Sequence, residues 1–295
     1  MVESNSNSGN HHRGLIALQN TRNACEHRTL SYYYYYYYFY YYFCYYYFLL
    51  LLLLLMPSLI KIVSDLSTRL AKLEFSPPVT HIYDPTSYAR EPLSAFFEKF
   101  GQPPKKIVLV GMNPGPWGML QTGVPFGEVG IVREWMGIEG RVGQPGQRHP
   151  KRPVEGFACT RSEVSGSRLW GWARDRFGSA DEFFSKFLVV NYCPLAFFDK
   201  TGKNITPDKL KRADREQIFG FCDEALERTV QLLKPEWVIG VGRFAYERCV
   251  TALEGIDVKV GKVTHPSPAN PAANKGWADL MEKELMEFGV PIPER

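Results

Sequence analysis

Apolar residues at Ile62, Leu66, Leu70 and Leu73 recur at helical spacing, which predicts a helix over 62–73 closed off by Pro77-Pro78. Residues 107–111 (IVLVG) form a short uninterrupted apolar run, the pattern of a strand buried on both faces of a parallel sheet. Residues 187–191 (FLVVN) and 237–240 (WVIG) repeat it, and 258–263 is a weaker fourth strand. Helical patterns lie between and after them, over 167–177, 207–233 (with a break expected near Gly220), 243–253 and 274–288. Strand and helix alternate, so the pattern predicts an α/β domain with a mostly parallel sheet. Residues 137–166 are rich in Gly, Pro and charge and predict a long loop.

The N-terminus breaks with this texture. Residues 1–28 are polar, dominated by Ser, Asn, Gly and His, and predict disorder. Residues 29–60 carry no charge and contain a Tyr/Phe run from Tyr32 to Phe48, then Leu49 to Leu55. The stretch is long enough for a membrane span, but 13 of the residues from Tyr32 to Tyr47 are tyrosine, a side chain of the membrane interface rather than the hydrocarbon. It starts late for a signal peptide, and no small-residue cleavage site follows. We read residues 1–60 as a low-complexity extension, unstructured or artefactual, with a membrane anchor as the second reading, and 61–295 as the folded domain.

Composition adds little. The 295 residues carry a formal net charge of +4, which permits nucleic-acid binding without arguing for it. The six cysteines (25, 44, 159, 193, 222 and 249) show no zinc or iron–sulfur spacing, so free thiols and no metal are expected.

Three of the strands run into polar loops, and in an open parallel sheet ligands bind beyond the carboxyl ends of the strands. The first loop runs from Gly111-Met112-Asn113-Pro114-Gly115-Pro116 to Phe126-Gly127-Glu128. Gly and Pro fix its backbone and allow close ligand approach, and on residues alone a structured turn and a site stand level. The second begins Asn191-Tyr192-Cys193-Pro194, where the amide either caps a turn or reads a base edge with one acceptor and two donors. The third, His265-Pro266-Ser267-Pro268-Ala269-Asn270-Pro271, is stiffened by three prolines, and Asn274 beyond it is a candidate cap for the last helix. Gly240-Val241-Gly242 lacks the full dinucleotide pattern and reads as helix–strand packing. Arg148-His149-Pro150-Lys151-Arg152 reads first as a solvated loop and second as a phosphate contact.

Taken together, the stretches GMNPGPWGMLQTGVPFGEVG (111–130), HPKRP (149–153), SEVSGSRLWG (162–171), NYCPL (191–195), NITP (204–207), VGVGR near 239–243 and HPSPANPAANKGW (265–277) resemble the single-strand-selective monofunctional uracil-DNA glycosylases of the uracil-DNA glycosylase superfamily. The resemblance spans roughly 62–290. It implies a three-layer α/β/α sandwich with a short, mostly parallel central sheet, and base flipping into a pocket at the strand ends. It implies removal of uracil and 5-hydroxymethyluracil from single- and double-stranded DNA, leaving an abasic site without a lyase step and with no cofactor. By position, Asn113 holds the attacking water and His265 donates to uracil O2. Asn191 reads the base edge, Phe126 stacks on the base, and Met112 and Gly115 line the pocket. Pro268, Ala269 and Asn270 form the wedge beside the flipped base, and Lys275, Lys151 and Arg152 contact DNA. The family commonly has arginine at the position of Ala269 and phenylalanine at that of Trp117. Nuclear residence follows from the repair role, and a monomer is expected. The alternative reading is a module of the same fold that holds damaged or abasic DNA without turnover.

Overall fold

The computed structural model describes residues 36–48, 58–290 and 292–293. The chain divides into two compact units, Met1–Met56 and Pro57–Arg295.

Within the first unit, residues 36–48 are helical with every side chain exposed, so the expected lack of structure does not hold there. Aromatic side chains four apart stack along the helix, Tyr38 on Tyr42 and Phe43 on Tyr47, each at 6.3 Å between centroids. Such pairs support a helix that has no apolar core to lean on. The rest of the tract, with Cys25, lies outside the described residues. No helix among the described residues is long and apolar enough to cross a membrane.

The second unit opens with α1 (Leu59–Leu70), capped by the Ser58 hydroxyl accepting from the Lys61 amide. The helix thus starts three residues earlier than the apolar spacing suggested, and Leu59 is its first buried residue. The elements that follow are β1 (His81–Tyr83), α2 (Pro85–Tyr88), α3 (Arg90–Phe100), β2 (Ile107–Gly111), α4 (Met119–Thr122), α5 (Val129–Glu134), α6 (Val164–Phe177) and α7 (Ala180–Lys186). Then come β3 (Phe187–Asn191), β4 (Ala196–Phe198), β5 (Asn204–Ile205), α8 (Arg212–Leu233), β6 (Trp237–Val241), α9 (Arg243–Ala252), β7 (Lys259–Val263) and α10 (Trp277–Glu287).

The main sheet has the order β3-β2-β6-β7, all parallel. β2 is buried at every position, as expected of a central strand covered on both faces. Helices α1, α8 and α9 pack together as one layer, and α6, α7 and α10 as another, which makes the three-layer α/β/α arrangement. β1, β4 and β5 form a separate antiparallel sheet that the apolar pattern does not reveal, because strands of two or three residues are too short to show a period.

Two helix expectations change. The segment from Pro207 begins as a 3-10 turn (Pro207–Lys209) before α8, which then runs unbroken through Gly220, carried by buried Ile218, Cys222, Ala225 and Leu226. The last helix starts at Trp277, and Asn274 does not cap it. The Asn274 amide instead donates to the Pro268 carbonyl at 2.9 Å and accepts from Arg168 at 2.9 Å. The Gly240 region is indeed packing, since a Cβ at Gly240 would collide with the Tyr246 backbone of α9.

The 137–166 segment is mostly irregular but firmly tied. Gln121 is fully buried. Its Nε2 donates to the Pro116 and Pro153 carbonyls at 2.9 and 3.0 Å, and its Oε1 accepts from the Glu155 and Gly156 amides at 2.8 and 3.1 Å. One amide thereby satisfies its whole hydrogen-bonding capacity and clamps this segment onto the loop after β2.

Candidate active site

Because β2, β3 and β7 are parallel, their carboxyl ends lie on one edge of the sheet, and Gly111 sits directly beside Asn191 in register. The loops that follow enclose a cavity of about 350 Å³ whose wall includes Met112, Asn113, Gly115, Phe126, Asn191 and His265. The six residues proposed from sequence for chemistry and base contact are therefore brought together in one space.

Four of them are held by specific contacts. Asn113 Nδ2 donates to the Leu195 carbonyl at 3.2 Å, and among the described residues nothing occupies its Oδ1. Asn191 Nδ2 donates to Met119 Sδ at 3.1 Å, which leaves its Oδ1 and second N–H for a ligand. A Cβ at Gly111 would run into the Asn191 side-chain Oδ1 and the Phe126 ring, so the bare backbone there lets both sit against the strand end.

Phe126 has a left-handed backbone, φ 54°, a costly conformation for a bulky residue, about 1–3 kcal/mol. Its surroundings enforce it. The Phe126 carbonyl accepts from Trp170 Nε1 at 3.1 Å and from the Glu128 amide at 2.8 Å. Gly166 of α6 packs so close that any Cβ would strike that carbonyl. The segment 162–171 thus serves to aim an aromatic ring into the cavity, 6.1 Å from the His265 ring.

His265 Nδ1 accepts from the Ser267 amide at 3.0 Å. That bond puts the ring proton on Nε2, making Nε2 a donor. Burial lowers the imidazole pKa to about 4, so the ring is neutral near pH 7. The loop around it is stiff: Thr264 is held at both its amide and its hydroxyl by the Glu284 carboxylate, and Arg168 donates to the Pro266 carbonyl at 2.9 Å.

The cavity wall also contains residues for which sequence gave no role. Glu163 accepts from the Trp117 amide at 3.3 Å, and burial raises its carboxyl above the usual range. It occupies the space that side chains at Gly115 and Gly118 would fill. Asn204 and Thr206, from the strand end of the small antiparallel sheet, line the wall with Ser165 and Ser267. Glu163 and Asn204 fall inside stretches that carry the family resemblance, but only the tertiary fold shows that they face the cavity.

The residues proposed to contact DNA are outside this cavity. Pro268, Ala269 and Lys275 are exposed, and Asn270 is half-buried, its Nδ2 on the His265 carbonyl at 3.3 Å. Lys275 lies in a shallow groove with Pro271 and Asp279. Lys151, Arg148 and Pro150 are exposed, but the solvated-loop reading fails for His149 and Arg152. His149 is buried, its amide donating to the Tyr83 hydroxyl at 2.7 Å. Arg152 donates to the Gly202 carbonyl at 2.7 Å and lies 5.7 Å from the centroid of Trp117. Arg161 covers the same ring at 4.1 Å, so two guanidinium groups approach Trp117. The five described cysteines are free thiols, and the described residues hold no cluster of metal-ligating side chains.

The sequence profile of the Uracil DNA glycosylase superfamily matches residues 98–285. The "Single-strand selective monofunctional uracil-DNA glycosylase" of Rattus norvegicus is 48% identical over 227 residues, 76% of this chain and 82% of that protein. The Bos taurus protein of the same description is also 48% identical over 227 residues, 76% of this chain and 84% of its own. Among solved structures, the SMUG2 protein of Pedobacter heparinus aligns over 80% of this chain and 98% of its own with a TM-score of 0.57 at 18% identity, a likeness of fold. The chain therefore belongs to the uracil DNA glycosylase superfamily, and within it to the single-strand selective monofunctional family.

Proposed function

We propose that this protein hydrolyses the N-glycosidic bond of uracil and 5-hydroxymethyluracil in single- and double-stranded DNA and leaves an abasic site without strand scission. The carrying observation is the convergence of Asn113, Phe126, Asn191 and His265 on one cavity at the strand ends. Cleavage leaves positive charge on the sugar and negative charge on the base, and the protein must stabilise the second while placing water against the first. His265 Nε2–H donates to uracil O2, where the negative charge grows. Asn191 Oδ1 accepts from uracil N3–H and the free Nδ2–H donates to O4. Cytosine reverses that pattern and would leave buried groups unpaired, at roughly 1–3 kcal/mol each. Phe126 stacks on the flipped base, and Met112 and Gly115 complete the pocket. Pro268, Ala269 and Asn270 approach the duplex, with Lys275, Lys151 and Arg152 at phosphates. A monofunctional course needs no amine nucleophile. The protein acts as a monomer in the nucleus.

The test is cleavage of a single-stranded oligonucleotide carrying one uracil by the full chain, with and without alkali. Strand breaks that require alkali support the reading. No release of uracil or 5-hydroxymethyluracil by folded protein that still binds abasic DNA would replace it with a damage-binding module.

Two further outcomes follow from the site. Gly111→Ala should lose most uracil release at a modest cost in melting temperature, because the new methyl group displaces Asn191 and Phe126 together. A variant as active as the parent would show that neither needs its present position. Ala269 is too short to fill the gap left by a flipped base, so activity should favour single strands over duplex. Ala269→Arg should raise the duplex-to-single-strand rate ratio, and an unchanged ratio would remove Ala269 from the wedge.

A further inference from the structure

Among the described residues, one group bonds the Asn191 side chain: its Nδ2 donates to Met119 Sδ at 3.1 Å. Met119 opens α4 in the loop after β2 and is buried. Both residues line the cavity that holds Asn113, Phe126 and His265. Both also line a second, smaller cavity of about 50 Å³, walled mostly by apolar side chains such as Leu59, Ile62 and Leu66. In such surroundings even a weak hydrogen bond counts for more than it does in water.

A carboxamide is nearly symmetric in shape and asymmetric in chemistry. Turning it over about its last bond exchanges an acceptor for two donors with almost no change in volume. A thioether sulfur accepts weakly and has no proton to give. Facing Met119, the Asn191 amide must therefore present nitrogen. Its oxygen falls on the side of Gly111, where a Cβ would meet it. Asn191 Oδ1 has no donor among the described residues, yet it stays open. The one unpaired side-chain oxygen closed off there is that of Asn204.

Which end of the amide is oxygen decides which base fits. As the side chain stands, Oδ1 accepts from uracil N3–H and the remaining Nδ2–H donates to O4. Turned over, it would donate to N3 and accept at the 4-position, which is the pattern of cytosine. We propose that Met119 is a specificity-determining positioning residue, whose sulfur holds the Asn191 amide in the uracil-reading orientation. The turned-over amide would set Oδ1 against sulfur, two acceptors with no proton between them, and would leave that oxygen unpaired. The inference rests on the glycosylase reading above. Met119 acts through Asn191 and takes no part in bond breaking.

The test uses the full chain and reads base preference, which a purely structural role for Met119 would not move. Two single strands are compared by competition, one carrying 2′-fluoro-2′-deoxyuridine and the other 2′-fluoro-2′-deoxycytidine, both made resistant to cleavage by the fluorine. Met119→Leu removes the sulfur at nearly constant volume, a swap that cores tolerate. Met119→Gln returns an acceptor oxygen, with a donor beside it. We expect the parent to prefer the uracil strand and Met119→Leu to narrow that preference by about 10-fold, within the cost of leaving one buried hydrogen-bonding group unpaired. Met119→Gln should recover part of the loss. A Met119→Leu protein with the parent's preference would overturn the proposal. Equal losses in both variants would also overturn it, because the effect would then belong to packing rather than to the acceptor. A parent that releases uracil yet binds the two strands equally would remove the base-reading role of Asn191, and that of Met119 with it. A parent that releases no uracil from a single strand would instead overturn the glycosylase reading.

Discussion

Asn113→Ala is expected to lower single-turnover release of uracil from a single strand by about 10²–10³-fold, the scale of losing one preorganised group at a reacting centre. The reason lies in how that side chain is held. The Asn113 amide is fixed by its Nδ2 bond to the Leu195 carbonyl, so its Oδ1 keeps one direction. Removing it takes away both the acceptor and its fixed geometry. Affinity for a single strand carrying 2′-fluoro-2′-deoxyuridine, whose glycosidic bond resists cleavage, should stay close to the parent's, because Asn191, Phe126 and His265 hold the base. Asn113→Asp separates the two contributions. A carboxylate keeps the acceptor and adds a proton acceptor, but it has no N–H for the Leu195 carbonyl and would set oxygen against oxygen there. We expect it to recover part of the lost rate and not all of it. A fall of less than about 10-fold in Asn113→Ala, equivalent to about 1.4 kcal/mol, would mean that Asn113 does not govern the reaction.

The residues named from the loops and the residues found only in the structure differ in a physical way. β2 and β3 were legible to the residue, because strands buried on both faces must be apolar throughout and both end in a polar or glycine residue. Asn113, Asn191 and His265 were legible as candidates because Asn191 ends such a strand, Asn113 lies two residues beyond another, and His265 lies two residues beyond the weaker fourth strand. Their roles came from the resemblance, and the structure adds what holds them. Trp170 belongs to a stretch that read as a helix and Gly166 to one that read as a loop, and only the fold shows that they clamp the backbone of Phe126. Glu163 and Asn204 reach the cavity through the N-terminal edge of α6 and through an antiparallel strand of two residues, and no sequence period encodes either approach. The basic cluster misled for a related reason. Charge suggests solvent, whereas the Tyr83 hydroxyl and the Gly202 carbonyl draw His149 and Arg152 inward. The shift of α1 toward its N-terminus has a local cause, the Ser58 cap, in a region where the preceding run of leucines masks any helical period.

His265 is expected to give the second large effect, and its pH dependence is the sharper test. His265→Leu should lose about 10²–10³-fold in rate, since the donor aimed at the developing charge on uracil is gone. In the parent, burial holds the imidazole pKa at about 4, and the Ser267 amide occupies Nδ1 as a donor. The neutral ring is therefore the working form. Protonation would put a proton on Nδ1, break the Ser267 bond and loosen the loop that carries the wedge. The sign follows. A solvent-exposed histidine would titrate near 6.5, but here the rate should stay level as pH falls through that value and should drop only as pH approaches about 4. The unfolded chain binds this proton near 6.5 and the folded chain only near 4. His265 therefore stabilises the fold fully above about 6.5, and that contribution is lost as pH falls from there toward 4. The measurement is a single-turnover rate profile from neutral pH downward, taken with the melting temperature at each point. A rate that halves near pH 6.5 while the protein remains folded would show an imidazolium-sensitive step, and with it a histidine less buried and less tightly held than the Ser267 bond implies.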